Sequence, residues 1–283
     1  MDLDGFANEV GDHGPVTVVG LGTRGGGVPG VRAVHAPAGV EWVQPDEMTV
    51  CCGAGTPVDR LVEALAEHRQ TVALPAGGTV GGALSIGRSD VRRLGWGPVR
   101  DVLLQARFVS AAGAVVKAGG PTVKNVSGFD LCRLLVGARG ELGFLAEVVL
   151  RTRPIAPASS WYSAAAVDPF EVFGRLHRPT SVLWDGSRVW VLLEGHPVDL
   201  AAQASAAGLA VCDGPPVLPT GSRRSVPPRD VRSQTGTFVV EVGVGVVHHA
   251  DPWSPPPRDP RVVELEARLR REFDPTGRLN PRG

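Results

Sequence analysis

The stretch VTVVGLGTRGGG, residues 16–27, carries the strongest structural signal in the sequence. It begins with three valines and a threonine, which favour a β-strand, and it runs directly into the densest glycine cluster of the chain. Residues 20–25 also satisfy the pattern GxGxxG, which in a βαβ unit requires a helix immediately after the loop. The glycines and the proline of residues 26–30 would break such a helix. The sequence therefore predicts a strand that enters a loop with no helix behind it.

A glycine loop of this kind has two interpretations. Successive backbone N–H groups that converge in a turn can bind a diphosphate, whereas the alternative is a long connection between two strands. A second cluster, GGTVGG at residues 77–82, follows about 50 positions later. The presence of both clusters favours the diphosphate interpretation.

Composition excludes several classes of protein. The chain has 283 residues, 43% of them hydrophobic, and its 29 basic side chains balance 29 acidic ones. This balance argues against a polyelectrolyte surface for nucleic acid. Four cysteines without a CxxC spacing predict neither a metal site nor a disulfide framework. An acidic start and the absence of 18 consecutive apolar residues predict an unexported protein of the reducing cytoplasm with no membrane span.

The pattern of apolar residues divides the chain near Arg153-Pro154, where proline and alanine become more frequent. Before this point we predict a helix over 56–68 with Thr56 as its N-cap, a loop over 71–101, strands over 102–109, 114–118 and 144–151, and a short helix over 130–136. After it we predict the order βαββα up to residue 209, a connecting segment over 213–236, one strand over 237–247 and a last helix over 260–273. The fold class is therefore α+β.

Five segments together carry a resemblance to a known family. They are residues 16–27, the cluster 77–82, Gly97–Asp101, Lys124–Leu131 and Gly137–Leu145. In order and spacing they resemble the FAD-binding domain of vanillyl-alcohol-oxidase-type flavoproteins, most closely that of the FAD-binding subunits of bacterial glycolate oxidases. A sixth segment, Phe273–Pro281, is similar to the tail by which such proteins return to the flavin domain.

The resemblance implies a fold and a set of cofactor-binding residues. The fold is a two-subdomain FAD-binding domain over residues 1–154, a small α+β cap over 155–250 that covers the flavin ring, and a C-terminal helix and tail over 251–283 that return to the first domain. FAD needs backbone N–H donors for its phosphates and bare backbone against its ring. The residues that the resemblance assigns to FAD are Gly20, Gly22, Thr23, Arg24, Gly25, Gly78, Thr79, Gly81, Gly82, Arg100, Asp101, Lys124, Gly140, Leu142, Gly143, Leu145 and Asn280. For Arg100 and Asp101 a structural turn, and for Lys124 a solvated charge, are the alternatives.

The implied function is oxidation of a small 2-hydroxy acid, such as glycolate or lactate, with electrons passed to a partner. The first loop has no histidine, and no cysteine lies in the loops expected at the ring, so the FAD is predicted to be non-covalent. His248 is the candidate catalytic base; because it is followed by His249, at most one of the two faces the flavin. Two other classes stay open: a non-catalytic FAD-carrying accessory subunit that needs a second flavoprotein and an iron–sulfur protein, and a flavin-free scaffold. Such partners would place the chain peripherally at the inner membrane.

Overall fold

The computed structural model describes residues 1–120 and 130–281. They form two compact units. Unit 1 comprises Met1–Ser89, Pro98–Ile155 and Arg258–Gly283, and unit 2 comprises Asp90–Gly97 and Ala156–Pro257. Residues 90–97, which the sequence pattern placed in a loop of the first domain, thus pack with the second unit.

Helices and strands are mixed along the chain. The helices are α1 (Leu3–Val10), α2 (Val58–Ala66), α3 (Val80–Ile86), α4 (Arg93–Trp96), α5 (Leu131–Leu135), α6 (Pro169–Arg175), α7 (Pro197–Ala206) and α8 (Pro260–Phe273). The strands are β1 (Val16–Val18), β2 (Arg32–Val34), β3 (Val40–Gln44), β4 (Thr49–Gly53), β5 (Gln70–Val72), β6 (Leu103–Val109), β7 (Val115–Gly119), β8 (Phe144–Pro154), β9 (Ala158–Ala165), β10 (Ser181–Trp184), β11 (Arg188–Gly195), β12 (Ala210–Val211), β13 (Ser222–Ser225), β14 (Phe238–Glu241) and β15 (Val246–His249). The α+β class is confirmed.

The main sheet of unit 1 is antiparallel, with the order β3-β4-β8-β6-β7 and β5 paired to the far end of β8. Helix α2 packs on it through Val58, Leu61 and Leu65, which recur at three- and four-residue spacing and are at most 1% exposed. Burying each such side chain contributes about 1.5–3 kcal/mol. The predicted cap of this helix is wrong, because the Thr56 hydroxyl hydrogen-bonds the backbone of Gly39 and the helix begins after Pro57.

Two further predictions of secondary structure are wrong. Residues 71–101 are not one loop, since they contain α3, with the Thr79 side chain as its N-cap, and α4. Helix α3 has only seven residues and ends at the left-handed Gly87, so it is too short to show a helical period. Residues 237–247 form a hairpin of β14 and β15 rather than one strand, because Gly243 and Gly245 turn the chain with φ of 80° and 75°. The connecting segment 213–236 contains β13.

Strand β1 lies outside the main sheet and carries the first glycine loop. It pairs in parallel with β2, and residues 19–31 connect the two without a helix. A strand of three residues is marginal by itself. The C-terminal tail supports it, because Val16 bridges Leu279 and its N–H donates to the carbonyl of Arg278.

Arg278 fixes this tail in the interior of unit 1. The residue is 5% exposed, and its guanidinium donates five hydrogen bonds of 2.7–3.1 Å to backbone carbonyls. The acceptors are the carbonyls of Val10, Gly11, His13, Gly14 and Ala111. One side chain therefore joins the end of α1, the turn before β1, the β6–β7 hairpin and the tail.

Unit 2 is built on a seven-stranded sheet with the order β12-β9-β11-β10-β14-β15-β13. Helices α6 and α7 cover one face, where Val182, Val191 and Leu193 pack against Val172 and Leu200. Because side chains alternate along a strand, the register places Leu183, Glu241 and His248 on the opposite face. In neither unit is any described helix long and apolar enough to cross a membrane.

We expect Arg278→Ala to lower the free energy of unfolding by about 3 kcal/mol or more, because carbonyl groups that the guanidinium satisfies would lose their donor in the interior. Urea unfolding followed by circular dichroism measures the change. Arg258→Ala is the control, since that side chain is half exposed and pairs with Glu266 on the surface, so its loss should change the free energy of unfolding far less. Equal losses in the two variants would contradict this role of Arg278.

Candidate functional site

The two glycine-rich loops predicted to bind a cofactor lie against each other. Arg24, in the loop between β1 and β2, donates from Nη1 to the carbonyl of Gly77 at 2.6 Å. Its Nη2 donates to the carbonyls of Pro75 at 2.9 Å and Ala76 at 2.8 Å. The tertiary structure thus brings together two clusters about 50 residues apart in the sequence.

Two glycines at this junction are required by the neighbouring loop. A Cβ on Gly20 would lie 2.9 Å from Thr79 Oγ1, and a Cβ on Gly78 would overlap the side chains of Thr23 and Arg24. Gly78 also has φ of 66°, a conformation that favours glycine. Close approach of the loops explains Gly20 and Gly78 without any ligand.

Three other glycines face open space, and their backbone shows whether the loops fit FAD. Gly22, Gly25 and Gly77 have φ of 71°, 111° and 73°, and a Cβ on any of them would meet no described atom within 4 Å. Their backbone is therefore bare and left-handed beside space that the described residues leave unfilled. Anion-binding nests form where left-handed backbone without side chains lets successive N–H groups converge. The loops fit the diphosphate of FAD.

Contacts within the protein account for glycine at positions 81 and 82. Gly81 donates its N–H to the carbonyl of Ala54 at 2.7 Å, and a Cβ there would lie 2.9 Å from the same oxygen. Gly82 donates to Thr79 Oγ1 at 3.1 Å as part of the helix cap. These N–H groups are engaged within unit 1. Direct contact of either residue with FAD stays a prediction.

Asn280 links the first loop to the turn that precedes β8. Its Oδ1 accepts from Thr17 Oγ1 at 2.8 Å and from the N–H of Val18 at 3.2 Å, while its Nδ2 donates to the carbonyl of Arg139 at 2.6 Å. A Cβ on Gly140 would press on Asn280 Nδ2. In the structure Asn280 therefore positions backbone, and its predicted contact with the cofactor is not tested.

The remaining residues predicted for FAD lie in different environments. Leu142 and Leu145 are 7% and 6% exposed and belong to the core of unit 1, and the backbone of Gly143 lies against the ring of Phe108. Arg100 and Asp101 are exposed, and Asp101 pairs with Arg133 of α5 at 3.4 Å. Lys124 lies outside the described residues. These positions remain predictions.

The buried thiols do not provide a nucleophile for covalent attachment of a flavin. Burial raises the pKa of the Cys51 thiol to about 12, with a further contribution from Glu147, and raises that of Cys132 to about 11. Burial likewise raises the pKa of the Cys52 thiol. All three therefore stay protonated at neutral pH, and a protonated thiol is a poor nucleophile.

A second group of polar side chains lies on the face of the unit 2 sheet opposite α6 and α7. His248 is 9% exposed, and its Nε2 lies 2.8 Å from Glu241 Oε1. Arg223 Nη2 lies 3.5 Å from the same oxygen. Glu241 is 2% exposed, and its Oε2 has no hydrogen-bond partner in the part of the chain that the structure describes. Burial raises the pKa of nearby Asp90, and the Glu241 carboxylate adds to that shift.

His249 has a different environment. Its Nε2 lies 2.8 Å from the carbonyl of Thr235, and its Nδ1 accepts from the N–H of Asp251 at 2.9 Å. Both ring nitrogens are thus used by backbone, with Nε2 as the protonated nitrogen. The two histidines lie on opposite faces of the sheet, as strand geometry requires.

The sequence analysis missed Glu241, Arg223 and Asp59. Glu241 is the one acid within the valine-rich run 238–247, and a lone charge among buried strand residues is itself a signal. Asp59 accepts from the N–H of Gly77 at 3.2 Å. Nothing in the local pattern distinguishes Asp59 from an ordinary first-turn acid of a helix.

Comparisons with known proteins agree with these loops. Residues 10–119 match the family model described as FAD binding domain. The chain is 34% identical over 158 residues to a D-lactate dehydrogenase of Archaeoglobus fulgidus, a match that covers 53% of this chain and 35% of that protein. It is 35% identical over 131 residues to glycolate oxidase subunit GlcE of Escherichia coli, covering 44% and 37%. The chain thus spans little more than a third of the length of these relatives.

Solved structures share the fold. An alkyldihydroxyacetonephosphate synthase superposes with a TM-score of 0.69 at 13% identity, over 99% of this chain and 73% of that one. The grass pollen allergen Phl p 4, with glucose dehydrogenase activity, superposes with a TM-score of 0.52 at 17% identity, over 68% and 44%. Residues 10–119 are therefore similar to an FAD binding domain, as the motifs predicted, and the chain shares its fold with these solved structures.

Proposed function

We propose that this chain binds FAD without a covalent bond and takes part in oxidising a small 2-hydroxy acid, such as glycolate or lactate, to the 2-oxo acid. The observation that carries the FAD part is the pair of clamped glycine loops, whose Gly22, Gly25 and Gly77 leave bare, left-handed backbone beside open space. Similarity to a D-lactate dehydrogenase and to a glycolate oxidase subunit supports the substrate class.

The protein's own contribution to the chemistry would be to hold FAD and to accept a proton. Bound FAD supplies the acceptor for the hydride that leaves the carbon bearing the hydroxyl group. His248 would accept the hydroxyl proton. Because its Nε2 faces Glu241 Oε1 at 2.8 Å, the tautomer that donates Nε2–H to the carboxylate leaves the lone pair of Nδ1 as the basic site.

Glu241 and Arg223 would support this role. A carboxylate hydrogen-bonded to imidazole fixes the orientation of the ring and stabilises the imidazolium that forms. Arg223 supplies a cation 3.5 Å from the same carboxylate oxygen.

A non-catalytic role is the second candidate, because one relative is named as a subunit. In that case the chain would carry FAD within a complex with a second flavoprotein and an iron–sulfur protein, and would oxidise nothing alone. Peripheral placement at the inner membrane would follow from such partners.

The non-covalent link predicts the behaviour of the chromophore. The purified protein, loaded with FAD, should release all its yellow colour into the supernatant on acid precipitation, since only non-covalent contacts hold the cofactor. Absorbance at the flavin maximum measures the released fraction. Colour retained in the pellet would contradict the prediction.

Anaerobic flavin reduction tests the reaction. Glycolate, D-lactate and L-lactate, added separately to the FAD-loaded protein without oxygen, should bleach the flavin absorbance for at least one acid. An FAD-loaded chain that none of the three bleaches would favour the accessory role. A chain that purifies colourless and rejects added FAD would contradict both roles.

Substitution of the two histidines tests the proposed base. His248→Asn should slow flavin reduction by about 10²- to 10⁴-fold while FAD stays bound, because a positioned base contributes a factor of that size. His249→Asn is the matched control: it removes contacts to the backbone of Thr235 and Asp251, so it should reduce thermal stability and largely preserve the reduction rate. Equal slowing in both variants would argue against His248 as the base.

A further inference from the structure

The contacts of Arg24 are unusual for a residue in a phosphate-binding loop, because they go to protein. Its Nη1 donates to one carbonyl and its Nη2 to two, all in the consecutive residues 75–77. Both Nη2 hydrogens are thereby engaged. The guanidinium is half-buried, and this burial lowers its pKa. Three of the five N–H donors of this half-buried guanidinium thus have backbone acceptors, which is the pattern of a structural clamp.

Asp59 of helix α2 holds the same turn through a different atom. Its Oδ1 accepts from the N–H of Gly77, whose carbonyl oxygen accepts from Arg24. The Asp59 carboxylate also opposes the effect of burial and raises the pKa of Arg24. The backbone N–H and the carbonyl of Gly77 are therefore both held by charged side chains, the N–H by Asp59 of α2 and the carbonyl by Arg24 of the loop between β1 and β2.

The turn so held needs external support. Gly77 and Gly78 are consecutive and both left-handed, with φ of 73° and 66°. Consecutive glycines have a large conformational entropy that a bound ligand would otherwise have to overcome. Support from outside the turn removes that cost before the ligand arrives.

We propose that Arg24 and Asp59 are a positioning pair that sets the spacing of the two glycine loops for the diphosphate of FAD, and that Arg24 is not itself a phosphate ligand. The pair acts through backbone, by fixing the carbonyls of residues 75–77 and the N–H of Gly77. The inference rests on FAD binding and is independent of the substrate.

The sign of the effect at Asp59 separates this proposal from direct phosphate binding. If Arg24 bound phosphate, removing the nearby anion would free the guanidinium and tighten FAD binding. If the pair is a clamp, Asp59→Ala loosens Gly77 and weakens FAD binding by about 3- to 10-fold. Glu63→Ala is the control, because it removes an equal charge from the exposed surface of the same helix.

The experiment is a titration of the apoprotein with FAD, followed by flavin fluorescence, for the wild type and these variants. Arg24→Lys, which keeps the charge but lacks the fork that reaches three carbonyls, should weaken binding by about 10-fold or more. The slope of affinity against salt should not change, since no ion pair with phosphate is lost. Asp59→Ala that tightens FAD, or that matches Glu63→Ala, would overturn the proposal, as would Arg24→Lys with wild-type affinity.

A double-mutant cycle in the apoprotein gives a readout without FAD. Urea unfolding of the wild type, Arg24→Lys, Asp59→Ala and the double variant should show coupling, because both side chains act on Gly77. If the losses in free energy of unfolding were additive in the double variant, Arg24 and Asp59 would not act as a pair. A wild-type chain that binds no FAD would contradict the proposed function, and the cycle would then still decide whether Arg24 and Asp59 act together.

Discussion

Unit 1 depends on the buried guanidinium of Arg278, because the first glycine loop is carried by a strand that cannot stand alone. Strand β1 has three residues and one strand partner, β2. Arg278, with Leu279 and Asn280, supplies contacts from a segment about 260 positions away in sequence. Contacts with this buried tail hold the loop more rigidly than a strand of three residues could hold it alone.

The glycine loops show how a bare backbone is kept in order. Each glycine loses more backbone conformational entropy on folding than any other residue, and none brings a side chain to pack. The structure offsets this through neighbours: Thr79 caps α3 and packs on Gly20, while Arg24 and Asp59 hold the turn at Gly77. Gly22 and Gly25 differ from these positions, because a Cβ on either would meet no described atom within 4 Å. The loops are thus held by residues other than the glycines that face open space.

In unit 2 the alternation of strand residues puts the side chains that pack on α6 and α7 on one face of the sheet and puts Glu241 and His248 on the other. One face of the sheet is valine- and leucine-rich and packs on α6 and α7. The other face carries Glu241 and His248, which are buried, charged or titratable, and bonded to each other. A buried Glu–His pair contributes little net stability by itself, because desolvation opposes the attraction. Stability alone therefore does not account for this pair, and proton transfer is the role that we propose for it.

The sequence by itself predicted the FAD-binding domain, its cofactor and part of the regular structure. The glycine clusters and their order predicted FAD, since each motif is local and glycine is nearly obligatory where the backbone is left-handed. Long amphipathic segments such as α2 and α8 were equally visible, because their period is a property of the chain alone. Short elements such as α3, α4 and the turn in 237–247 were not, because fewer than two helical turns or strand repeats give no period.

Only the tertiary structure decided which residues of the motifs are free to meet a ligand. The sequence predicts Arg24 and Asn280 as cofactor contacts. In the structure three N–H groups of Arg24 donate to the carbonyls of residues 75–77, and Asn280 bonds to Thr17, Val18 and Arg139. Their contact with FAD stays a prediction. Asp59 and Glu241 have their hydrogen-bond partners, Gly77 and His248, outside their own helix and strand. Hydrogen bonds of this kind depend on distance in space, and no local pattern encodes which carbonyl will face a given guanidinium.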